Sequence, residues 1–199
     1  MLHTRGITVN TFDETTHTYR INGRVVPSFT QVAGDLLPCW HASEWHLKRG
    51  RAVHAAAAMV ARCQAFECDP QIAGQVAACR EFFRLYKPVV LAVERPLFSH
   101  LYQFGGMPDL VTQPEIVDYK ARLTRSLPYQ LAAYSILWHG TTGWWINRGF
   151  GVELREDGTF RMSEFFDLRK YRQRFLAMLT TYNVRLECGA TNNKQEDAG

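Results

Sequence analysis

Three short runs of β-branched and aromatic residues, at 89–98, 107–111 and 115–120, lie between stretches whose apolar residues recur every three or four positions. Strands interleaved with amphipathic helices confine the chain to an α/β architecture. Before the runs, Asp69-Pro70 starts a helix in which Ile72, Val76, Cys79, Phe83 and Tyr86 form the apolar stripe and Arg80, Arg84 and Lys87 the opposite side. After them, Ser126 and Pro128 open a helix striped by Leu127, Leu131, Tyr134 and Leu137, with Gly140 and Gly143 as its stop. Gly105-Gly106 breaks the first run from the second.

The flanking segments fill out the plan. His17, Tyr19 and Ile21 alternate with polar residues, Asn22-Gly23 supplies a turn that tolerates positive φ, and Val25-Val26 returns, which predicts a hairpin. Ser28 and Gln31 form a capping box for a short helix over 29–37, ended near Pro38, and a longer helix follows over 43–63. Strands are expected at 144–147, 150–154 and 159–166, then a helix capped by Asp167 and reaching Leu186. Residues 189–199 are small and polar and read as a disordered tail. The expectation is one domain over residues 1–188, a central mixed β-sheet flanked by helices, with an N-terminal β-hairpin and helical region.

Composition narrows the function classes without choosing among them. With 5 Trp, 8 Tyr and 12 Phe the chain is too aromatic to be disordered outside its tail. The longest apolar run, 55–61, is far short of the roughly 20 residues that cross a bilayer. No apolar segment of secretory type follows the first arginine, so a cytoplasmic location and no membrane partner are expected. Cys39, Cys63, Cys68, Cys79 and Cys188 are odd in number and irregularly spaced, and read as reduced, packed thiols. Cys63 and Cys68 have no second pair to complete a four-ligand cluster. The net charge of +4 is compatible with nucleic acid and too small to demand it.

The chemistry concentrates in Gly106-Met107-Pro108-Asp109 and in Asp118-Tyr119-Lys120. Strand side chains alternate, so Asp118 and Lys120 point to one side, and a turn at Thr112-Gln113-Pro114 brings Asp109 beside them. Two carboxylates and an ammonium then converge, a set suited to a hard divalent ion such as Mg²⁺, with the lysine to orient or deprotonate a water. A lone D/E-x-K arises by chance about as often as not in this composition, and by itself reads as a surface ion pair. Two further features accompany it. Gln130 and Tyr134, four apart, share a face of the next helix, and His54 stands beside the stripe Val53, Ala57 and Val60 in Gly50-Arg51-Ala52-Val53-His54.

With these four motifs in this order over residues 50–134, the sequence resembles the PD-(D/E)XK nuclease superfamily, and within it the RecB-like exonuclease branch. Tyr19 with Val26-Pro27-Ser28-Phe29-Thr30 is also similar to the opening segment of small phage exonucleases and of the mitochondrial genome maintenance exonuclease. The resemblance implies a restriction-endonuclease-like core in which Asp109, Asp118 and the Tyr119 backbone carbonyl hold Mg²⁺ or Mn²⁺. It implies Lys120 as the catalytic lysine, His54 as a further metal ligand, and Gln130 and Tyr134 as DNA contacts. Arg51 stands where the family has a small residue, and Ala121 where it often has Thr. A bacterial or phage-infected cell is the implied setting.

Plainer readings stand beside these. His54 also reads as a core histidine, and Tyr134 as a core tyrosine with its hydroxyl satisfied. Glu94 reads as a supporting acid or as half of an ion pair. Arg122 and Arg125, just after the Asp-x-Lys strand, are phosphate-contact candidates, as is Arg51, whereas Arg169, Lys170, Arg172 and Arg174 read better as a solvated face. No iron-sulfur cluster is expected. The chain reads as a metal-dependent deoxyribonuclease, an exonuclease first, with DNA single strands or duplex ends as partner. No G-x-x-x-x-G-K-[ST] occurs, so unwinding falls to a recombination, replication or helicase partner. An endonuclease of the same fold, or a non-catalytic DNA-binding or recombination protein, are the alternatives.

Overall fold

The computed structural model describes residues 9–37 and 43–191. β1 (Asn10–Asp13), β2 (Thr18–Ile21) and β3 (Arg24–Val26) make a small antiparallel sheet, with Asn22 and Gly23 both at positive φ in the turn. Ser28 and Gln31 close their capping box at the start of α1 (Phe29–Leu36). Next come α2 (Glu44–Ala61) and, after a 3₁₀ turn at Pro70–Ile72, α3 (Ala73–Tyr86). Then follow β4 (Val90–Val93), β5 (Leu97–Ser99), β6 (Phe104–Gly106), β7 (Leu110–Thr112) and β8 (Glu115–Lys120). The remainder is α4 (Leu127–Thr142), β9 (Arg148–Leu154), β10 (Phe160–Phe165) and α5 (Arg169–Glu187).

The fold is α/β, and its central sheet has the order β10-β9-β8-β7-β4. It is mixed: β8 and β9 run parallel, joined by the crossover helix α4, and the other neighbours are antiparallel. β8 is covered on both sides, as a central strand must be. Ile116 belongs to the core shared with Phe29 of α1, Leu131 of α4 and Phe175 of α5. Val117 and Tyr119 belong to the core shared with Ala57 of α2 and with Cys79 and Phe82 of α3. Period-two alternation therefore puts Asp118 and Lys120 on the face of Ile116.

Several elements differ from the sequence expectation. The run 89–98 is split: Glu94 takes a φ of 44°, and after Pro96 the chain pairs as β5 with β6 in a separate two-stranded sheet. β6 includes Gly105 and Gly106, read above as a break. Residues 107–109 precede β7 instead of joining it, and 144–147 are not a strand. There the Trp145 ring lies parallel to His139, at 3.8 Å between centroids, with the Arg172 guanidinium 4.1 Å from its centre. β1 was not anticipated, and His17 sits in the turn before β2 at a φ of 53°. α4 runs through Gly140 and ends at Gly143, whose φ is 77°. Leu168, not Asp167, caps α5, although Asp167 Oδ1 accepts from the Arg169 N–H.

The thiols also depart from the packed reading. Cys79 alone among the described cysteines is buried, while Cys63 and Cys188 are exposed. Cys39, Pro38 and the tail beyond residue 191 lie outside the described residues. Among the described residues no helix is long and apolar enough to cross a membrane.

Candidate active site

The pairing of β7 with β8 sets Leu110 against Val117 and Val111 against Ile116. Carried one step further, that register puts Asp109 opposite Asp118, where cross-strand residues share a face. The turn that sets the register is held by the Thr112 hydroxyl, which donates to the backbone and carboxylate oxygens of Glu115 at 3.1 and 3.0 Å. Ladder pairing stops at Leu110, so the edge of β8 beyond Val117 is released for side chains. The Asp109 carboxylate uses it: Oδ2 accepts from the Tyr119 N–H at 2.7 Å. In an extended strand a residue's N–H and C=O leave on the same edge, so the Tyr119 carbonyl faces the same side as Asp109.

Each acid is matched to a cation. His54, one third exposed on α2, places Nδ1 3.0 Å from Asp109 Oδ1. Lys120 Nζ lies 2.6 Å from Oδ2 of the fully buried Asp118, yet that oxygen has no well-aligned hydrogen-bond donor. Asp109 lifts the His54 pKa to about 9, overcoming the opposing effect of burial. Burial resists ionisation of Asp109, but His54, Lys120 and the Tyr119 N–H hold its carboxyl below the usual carboxylate range. For Asp118 burial prevails, reinforced by Asp109 and only partly opposed by Lys120, and its carboxyl is pushed up. Burial also acts against the Lys120 charge, but Asp118 and Asp109 more than restore it, so the ammonium form is favoured. In this arrangement Lys120 is a donor and a cation.

The other sequence candidates fall into two groups. Glu94 joins the cluster from the far side of β7: its N–H donates to the Asp109 carbonyl at 3.1 Å, and burial and Asp109 both raise its carboxyl. Gln130 and Tyr134 are linked, Nε2 to hydroxyl at 3.0 Å, and the Tyr134 hydroxyl senses the charges of Asp118 and Asp109. Tyr134 is 7% exposed, however, and its ring packs against Gly106. The ring has no open face for a base, and what it turns toward the site is its hydroxyl. A Cβ at Gly106 would stand 2.9 Å from Leu137 Cδ1 and 3.0 Å from Tyr134 Cε1. Gly106→Ala is therefore expected to cost about 1–3 kcal/mol by overpacking, read as a lower midpoint in urea unfolding.

Arg51, Arg122 and Arg125 are exposed. Of these only Arg122 lines the cavity beside the cluster, a space of about 600 Å³. Its walls also include His46, Arg49, Gly50 and His54 from α2, Gln75 from α3, and Tyr119 and Lys120 from the end of β8. His46 and Arg49 were not anticipated, although His46, Gly50 and His54 recur every fourth residue on one helical face. Of the second basic group, Arg169 pairs with Asp167, and Arg172 is held by Ser135 and Asn147.

No three His, Cys, Asp or Glu side chains among the described residues are grouped to enclose a metal as they stand. The donor types do fit a hard divalent cation: two carboxylates on one face, one with a buried oxygen lacking an aligned donor, and a main-chain carbonyl on the same edge.

No protein-family model matches the chain, and no curated protein matches it in sequence. Among solved structures it is similar to the alkaline exonuclease LHK-Exo from Laribacter hongkongensis, at 14% identity and a TM-score of 0.40, over 82% of this chain and 92% of that one. The same enzyme in complex with dAMP aligns at 13% identity and a TM-score of 0.41, over 83% and 93% of the two chains.

Proposed function

We propose that the chain is a metal-dependent deoxyribonuclease, an exonuclease that hydrolyses phosphodiester bonds of linear DNA. The observation that carries this reading is the convergence of Asp109, Asp118 and Lys120 at the end of β8, beside a cavity walled by Arg49 and Arg122. Asp109 and Asp118, with the Tyr119 carbonyl and His54, are the residues that would hold Mg²⁺ or Mn²⁺. Bound there, the ion would lower the pKa of a water and neutralise charge growing on the phosphate.

The chain's own residues supply the rest. Lys120 presents an ammonium beside the acids and can donate to a phosphate oxygen or orient the attacking water. Gln130 Nε2 donates to the Tyr134 hydroxyl, which leaves that hydroxyl's own hydrogen free to donate. Arg122 brings positive charge to the mouth of the cavity. The cavity of about 600 Å³ beside the acids is large enough to take a nucleotide of a DNA strand.

End-labelled linear DNA and covalently closed single-stranded circles, incubated with Mg²⁺, Mn²⁺ or Ca²⁺, test the proposal. Linear DNA should be degraded with Mg²⁺ or Mn²⁺, circles should persist, and Ca²⁺ should support binding without cleavage because its looser shell positions water poorly. Rapid cutting of circles would replace the exonuclease with the endonuclease reading. No cleavage of either substrate would leave a DNA-binding protein of this fold.

A further inference from the structure

α2 carries the cavity wall beyond the acids. Gly50 and Val53 follow His54 outward along it, then Arg49 and His46, and Trp45 stands at the outer end in the first turn. Trp45 is 55% exposed and belongs to no hydrophobic cluster among the described residues. The Arg49 guanidinium lies over one face of its ring, 5.3 Å from the ring centre, and His46 meets the ring in a T-shaped contact, so the opposite face is the one a base would use. Arg49 is itself anchored, pairing with Glu156 and donating to the Gln71 carbonyl, so the cation beside the indole is held in place. An exposed aromatic ring next to a fixed cation on a basic wall is the pairing that lets a nucleic-acid strand stack one base while its backbone follows the positive charge. The nine residue steps from Trp45 to His54 span about 13 Å of helix, the length of about four nucleotides at the stacked rise of about 3.4 Å.

Resting on the proposed nuclease function, we propose that Trp45 is a stacking platform for a base of single-stranded DNA a few nucleotides from the scissile phosphate, so that the first turns of α2 select strands long enough to reach it.

Fluorescence anisotropy of a labelled single-stranded hexanucleotide in EDTA reads this contact without cleavage, with an unlabelled dinucleotide as competitor. Trp45→Ala should weaken hexanucleotide binding about 5- to 150-fold and leave dinucleotide binding unchanged. Trp45→Phe, which keeps a stacking face, should retain most of the affinity. Equal affinity of Trp45→Ala and wild type for the hexanucleotide, an equal loss on both ligands, or a wild type that does not bind the hexanucleotide overturns the proposal. Binding that depends on Trp45, in a protein that cleaves nothing with Mg²⁺ or Mn²⁺, would instead sink the nuclease function and keep the platform.

Discussion

Lys120→Ala is expected to lower the rate of DNA cleavage by about 10²- to 10⁴-fold, the usual worth of one positioned proton donor or charged group in a reaction of this type. The same change has a structural cost, because the lysine is three-quarters covered and is the counter-ion of Asp118, whose side chain is 1% exposed. Removing one partner of a buried pair leaves the other unmatched. Burial already favours a protonated Asp118, so the carboxyl can take up a proton, and the loss should stay at about 1–3 kcal/mol. Lys120→Arg separates the two effects, since it keeps the charge and loses the compact ammonium. Urea unfolding and cleavage of end-labelled DNA, measured on the same preparations, decide the matter: a folded Lys120→Ala that cleaves at the wild-type rate would remove Lys120 from the chemistry.

Asp118→Asn should abolish cleavage to a similar degree with a different signature. The amide keeps the shape, removes the charge that faces Asp109 across the strands, and frees the site of a buried ion. Its stability loss should accordingly be smaller than that of Lys120→Ala. The ligand role gives the sharper contrast. Titration calorimetry with Mn²⁺ should show binding lost in Asp118→Asn and preserved in Lys120→Ala, since one change removes a ligand charge and the other only a competing cation. Wild-type Mn²⁺ binding by an active Asp118→Asn protein would show that the metal, if used at all, is held elsewhere.

How far the sequence reaches can be judged residue by residue. Asp118 and Lys120 were legible because a strand's period of two is rigid, and Asp109 because a three-residue turn leaves few ways to return. The helices α4 and α5 were legible from their apolar stripes within a residue or two at the ends, whereas the expected first turn of α3, residues 70–72, is 3₁₀ and the α-helix starts at Ala73. What local pattern does not carry is contact at long range. β6 is a strand with two glycines because the Tyr19 side chain covers Gly105, at 2.6 Å from where a Cβ would stand, and Tyr134 covers Gly106. The aromatic run at 144–147 reads as a strand, yet Trp145 is committed to His139 at the end of α4 and to Arg172 of α5, the latter far along the chain. Tyr134 could be read both as a DNA contact and as a core tyrosine for the same reason: its position on the helical stripe was visible, its partner at Gly106 was not.

The acids sit at the unpaired fork of a hairpin whose zipped part is apolar, and this ties their placement to the core. Leu110 and Val117 fill one side of the sheet, Val111 and Ile116 the other. A slip of one residue in β8 would turn Asp118 toward α2 and α3 and at the same time expel Val117 from the core there. Folding free energy supplied by the apolar pairs thus opposes any misplacement of the carboxylates. In a lineage that ceased to need the chemistry, drift would erase the charges long before it disturbed the scaffold that indexes them, and a single restored codon would put an acid back in register.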